Sequence, residues 1–76
     1  MESDQWYVVE MHTDGERVQK CYARREGMYT TRVVSYGLCG WTMLIERRKF
    51  ASMVREWWLV TDPVILNALR NFRNAD

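Results

Sequence analysis

One histidine and two cysteines are the residues of this chain best equipped for nucleophilic chemistry: His12, Cys21 and Cys39. A thiol–imidazole pair works only when the base lies within hydrogen-bond reach of the nucleophile. If Asp14-Gly15 closes a two-residue hairpin, His12 faces Arg17 and Cys21 faces Val8. The two side chains then share a sheet face but stand about 13 Å apart, at roughly 3.3 Å per residue. His12 therefore reads as an exposed histidine near a turn, not as a base.

Metal chemistry finds no better footing. Two cysteines eighteen positions apart and a lone histidine lack the paired spacing of a structural zinc site. Acid–base catalysis needs carboxylates whose surroundings shift their pKa values. Glu2, Asp4, Asp14, Glu16 and Asp76 fall at termini or turns, and Asp62 has a capping role. Glu26 belongs to the second turn and Glu56 to the polar side of the expected helix, which leaves Glu10 and Glu46 without companions. The glycines occur singly, so no phosphate-cradling loop is present. The expectation is a non-enzyme with no cofactor and no metal.

The remaining chemistry is that of surfaces. Trp, Tyr and Arg dominate binding hot spots. Trp6, Val8, Arg17, Arg32, Val34 and Tyr36 all fall on one face of the expected sheet, and Trp58 follows Trp57 directly. Adjacent residues on a helix diverge by about 100°, so Trp57 and Trp58 cannot both enter one core. Trp58 is expected outside and Trp57 inside. A second, cationic set comprises Arg47, Arg48, Lys49 and Arg55, with Arg70 and Arg73 further on. Basic residues beside an aromatic ring suit nucleic acid. Against that reading, eleven basic and ten acidic residues leave a net charge of +1, too little for a strong long-range field. Asp62 at the head of the last helix would also face phosphates unfavourably.

The elements that must carry these residues follow from hydrophobic period. Up to Gly37, short alternating runs are separated by Asp14-Gly15 and Glu26-Gly27, a pattern of hairpins. Residues 5–36 should form a three-stranded antiparallel meander. The two-residue loops pair Met11 with Val18 and Tyr7 with Tyr22. Tyr7, Val9, Met11, Val18, Tyr22, Tyr29 and Val33 then face the core; Trp6, Val8, Cys21, Ala23, Met28, Val34 and Tyr36 face away. Beyond Gly40 the apolar spacing becomes three and four. A helix over 43–60 with Thr42 as its cap gathers Met43, Phe50, Val54 and Trp57 on one side. Arg47 falls inside that apolar sector, and Ile45 and Leu59 fall outside it. A fourth strand over 38–45 is the competing assignment, and it would free Ile45 from that conflict. Asp62-Pro63 starts a second helix over 63–73, with Ile65, Ala68, Leu69 and Phe72 as its apolar stripe.

The expected architecture is one small α+β domain, a meander packed on a C-terminal helical hairpin, with both helices on one sheet face. Seventy-six residues bury only about 60–65% of the unfolded chain's surface. Four Trp and five Met exceed what so small a core hides, which favours a protein partner or a homodimer. Two cysteines are too few for a disulfide-stapled secreted domain, and no apolar leader or bilayer-length run occurs. Both thiols are expected reduced, in the cytoplasm and off the membrane. The functional expectation is non-catalytic protein binding, as by small phage- or plasmid-encoded inhibitors that occupy a host enzyme or defence complex. A nucleic-acid accessory protein and a homo-oligomeric structural component are the alternatives.

Overall fold

The computed structural model describes residues 1–13, 15, 17–38 and 40–72. Its elements are β1 (Tyr7–His12), β2 (Val18–Glu26), β3 (Thr30–Ser35), β4 (Thr42–Glu46), α1 (Arg47–Met53), β5 (Val54–Leu59) and α2 (Pro63–Asn71). The strands make one five-stranded antiparallel sheet in the order β4-β3-β2-β1-β5. The meander is present and extended by β4 on one edge, while β5 returns to the other edge beside β1. Pairing alternates through the sheet, so β4 and β5 run in the same direction and a hairpin cannot join them. The short helix α1 carries the chain between the two edges.

Both hairpins differ from the expected register. Each loop holds three residues and not two, and the second, over residues 27–29, also begins one residue later than expected. Thr13 N donates to Arg17 O at 3.0 Å, and the strand partners are Val9↔Cys21 and Met11↔Gln19. In the second hairpin Glu26 pairs with Thr30, and Gly27 turns the chain with φ +73°. Thr30 Oγ1 also donates to Glu26 O there. Three-residue loops with a glycine in the left-handed region are the next commonest hairpin after the two-residue type. A one-residue slip flips a strand's faces. The first loop flips β2 alone, and the second restores β3 to its expected side. Cys21 and Ala23 therefore join Tyr7, Val9, Met11 and Val33, while Tyr22 moves to the opposite face with Val8 and Val34.

The expected helix over 43–60 does not form; those residues make β4, α1 and β5. The three residues that conflicted with the helix explain why. Ile45 pairs with Thr31 and packs against the inner core from β4. Arg47 stands exposed at the strand–helix junction. Leu59 lies opposite Tyr7 on β5. Thr42 caps nothing; its hydroxyl donates to Val33 O at 2.9 Å across the β3–β4 ladder. A bulge at Arg55 shifts the register between Glu10↔Glu56 and Met11↔Val54. The extra residue puts Val54 and Trp57 on one face although they are three apart.

The helices cover opposite faces, contrary to the expected one-sided layer. Phe50 of α1 closes the core of Tyr7, Val9, Met11, Cys21, Ala23 and Val33. Leu69 of α2 closes a second core of Trp6, Val8, Tyr22, Val34 and Val60, with Ile65, Leu66 and Phe72 packed on it. α2 starts where the sequence places it: Asp62 accepts from Val64 N at 2.8 Å, and Pro63 occupies the first turn. Among the described residues, no helix is long and apolar enough to cross a membrane.

Candidate interaction surfaces

Covering both faces removes the open sheet face that the sequence suggested. Trp6, Val8 and Val34 are buried under α2, at 7%, 7% and 2% exposure. Arg32 is tied internally, donating to Glu26 Oε2 at 3.0 Å and to Thr42 Oγ1 at 3.3 Å. Glu26 also holds Arg24 at 3.4 Å, and the Arg24 guanidinium lies 5.1 Å from the Trp6 ring centroid. Together with Arg70 these groups line a cleft of about 460 Å³ beside α2. The Arg24 Nε is buried there without a hydrogen-bond partner among the described residues. Of the expected contact set, Arg17, Tyr36 and Trp58 remain exposed.

Tyr36 and Trp58 belong to one local cluster. Tyr36 stacks on Tyr22 at 5.2 Å between ring centroids, 20° from parallel. Lys20 Nζ sits 5.7 Å from the centroids of both Tyr36 and Trp58, within the range of a cation–π contact. Burial raises the Tyr22 hydroxyl's pKa above its ordinary value, and Tyr36 and Asp62 add to the effect.

The longer exposed surface is the edge strand β5. Trp57, Trp58 and Leu59 are 49%, 42% and 46% exposed in succession. Trp57 is not a core residue, as a helical reading expected; strand alternation sends it to the α1 side and Trp58 to the α2 side. Trp57 is anchored by Tyr7, ring to ring at 5.4 Å and 90°. Backbone geometry matters as much. Val60 N donates to Trp6 O, which makes Trp6–Val60 a hydrogen-bonded pair. Stepping by two along an antiparallel ladder, Trp58 and Glu56 also turn their amides toward β1. The N–H and C=O of Trp57 and Leu59 therefore point outward, off the sheet.

On the α1 side the fold assembles a cationic surface larger than the sequence predicted. Arg47, Arg48, Lys49 and Arg55 are all exposed, but the first three lie on α1 and Arg55 lies at the β5 bulge. Arg25 of β2 joins them by lining the same cleft as Arg47 and Arg55. Its place in a strand run of three charges gave no hint of that; the changed register of β2 puts it there.

Cys21 and His12 stay apart. His12 pairs with Val18 and is exposed, while Cys21 pairs with Val9 and is fully buried. The Cys21 Sγ donates to Met11 Sδ at 3.2 Å, and burial pushes its pKa from 9.0 up to about 12. It is a free thiol packed as a small apolar group. Cys39, expected in the loop after β3, lies outside the described residues. No three His, Cys, Asp or Glu side chains gather in a metal-binding group among the described residues. No family model matches the chain, and comparison with curated proteins and with solved structures yields no significant match.

Proposed function

We propose that this chain is a non-catalytic protein-binding domain that receives a strand of its partner along the outer edge of β5. The observation that carries this reading is the outer edge of β5, unpaired among the described residues: outward amides at Trp57 and Leu59, flanked by three successive large apolar side chains. An exposed apolar edge strand is a template for another chain, and proteins normally blunt one with charge, proline or cover. Strand addition draws affinity from main-chain hydrogen bonds and specificity from alternate side chains. Trp57 and Leu59 would grip a partner strand from the α1 side and Trp58 from the α2 side. Such a module acts by occupying a surface of a larger assembly.

Two proline variants test it. Leu59→Pro removes an outward N–H and leaves the β1–β5 ladder intact, whereas Trp58→Pro removes a ladder bond. Wild type and Leu59→Pro serve as paired baits, with size-exclusion chromatography of each alone. Wild type should retain a partner, or a second copy of itself, that Leu59→Pro loses at a near-unchanged melting temperature. Equal retention by Leu59→Pro would exclude strand addition. Trp58→Pro should melt lower than either.

A further inference from the structure

We propose that the groove beside α1 binds single-stranded nucleic acid through a surface that shares Trp57 with the β5 edge and does not need the outward amides of that edge. Two clefts, of about 370 and 780 Å³, lie side by side here, with Arg47 and Ala51 lining both. Four guanidinium groups line it from three elements: Arg25 of β2, Arg47 and Arg48 of α1, and Arg55 of β5. Glu46 is its one carboxylate among the described residues. The arginines are not used up by the fold. Arg47 Nη1 makes a long 3.4 Å bond to Met28 O, and Arg25, Arg48 and Arg55 have no ion-pair partner among the described residues.

Each cleft also has an exposed aromatic ring in its lining. Trp57 lines the first cleft at 49% exposure, and Tyr29 lines the second at 73%. Tyr29 sits at a hairpin tip, where an exposed ring adds nothing to the core. Cations that track phosphates, with rings on which bases stack, are the two requirements of single-strand binding. A duplex keeps its bases stacked inside and offers these rings nothing. An acidic peptide would engage the arginines but leave both rings idle. With a chain net charge of only +1 there is little long-range attraction to add to these local contacts, so binding should be moderate and strongly salt-dependent.

The test measures fluorescence anisotropy with a labelled ten-residue oligodeoxythymidylate, a blunt duplex and a deca-glutamate peptide. Four phosphate contacts at a slope of about −0.7 each predict roughly fiftyfold weaker binding at 200 mM than at 50 mM salt. Arg25→Gln should flatten the slope by about 0.7. Tyr29→Ala, which leaves the core untouched, should weaken binding about tenfold at an unchanged slope. Leu59→Pro should bind the oligonucleotide as wild type does, which separates this groove from the strand-addition edge. No oligonucleotide binding at 50 mM salt would overturn the proposal. So would equal or tighter binding of the duplex or the peptide, or indifference to Tyr29→Ala.

Discussion

Trp57 meets Tyr7 edge-on at 5.4 Å, and that contact anchors the first of two adjacent tryptophans, itself half exposed, against a core tyrosine. Trp58, one residue on, faces the other side of the sheet and touches Lys20. The pair therefore divides between two layers, because successive strand side chains point to opposite faces.

The tryptophans should separate by their roles in packing. Trp6 is buried against α2 and beneath Arg24, so Trp6→Ala should cost about 3–5 kcal/mol and abolish a stable fold. Trp57→Ala loses one edge-to-face pair, worth about 0.5–1.5 kcal/mol beyond its area. Trp58→Ala should cost about 1 kcal/mol or less, the scale of an exposed cation–π contact. Urea melts of the three variants check this order. A folded Trp6→Ala protein would contradict the placement of α2.

Cys21 should make the protein alkali-sensitive. The folded thiol holds its proton to about pH 12, while the unfolded thiol releases it near 9.0. The unfolded state thus binds fewer protons in that window, and stability falls as pH rises. Its full contribution is present below pH 9 and declines by about 1.4 kcal/mol per pH unit above it. Tyr22, also shifted upward, acts in the same direction. Melting of Cys21→Ala against wild type between pH 8 and 11 (both carrying Cys39→Ser) should show the shallower slope in the variant. In the native state Cys21 should resist Ellman's reagent and react on unfolding.

Asp62 is the local stop and start between β5 and α2. Asp62→Ala should cost about 1 kcal/mol by freeing the Val64 amide that the carboxylate accepts from. Asp62→Asn keeps an acceptor and should restore most of that loss. Because α2 roofs the second core, the loss should register in a global melt and not as fraying alone.

The second hairpin depends on a backbone position and not on a contact. Gly27 has φ +73°, while a Cβ placed there would meet Thr30 Oγ1 at an ordinary 3.6 Å. Gly27→Ala should therefore cost about 1–2 kcal/mol from conformation alone. Gly27→Asn, which tolerates that region, should cost less. Chemical denaturation of both variants separates strain from crowding.

The last helix, the meander and the core role of Phe50 were all legible in the residues. Asp62-Pro63 states a helix start within two positions, and alternation in β1 and β3 assigns their faces without reference to the rest of the chain. Phe50 and Val54 were placed on a common apolar side, and they keep it although Phe50 stands on a helix of only 7 residues and Val54 opens β5. Ile45, Arg47 and Leu59, which no helix over 43–60 could place, marked in the sequence where that helix breaks. Other features depend on partners distant along the chain. Loop lengths of three and not two set the register of β2, and that register put Cys21 under α1 and Tyr22 under α2. β5 pairs with β1 across more than forty residues, a contact with no local signature. Once β5 took the far edge, α1 had to cross one face and α2 fell to the other. That crossing buried Trp6, Val8 and Val34, left the β5 edge open, and drew Arg25 to Arg47 and Arg55. Periodicity and capping are properties of neighbours in sequence, whereas edges, covered faces and clefts exist only once strands from both ends of the chain have met.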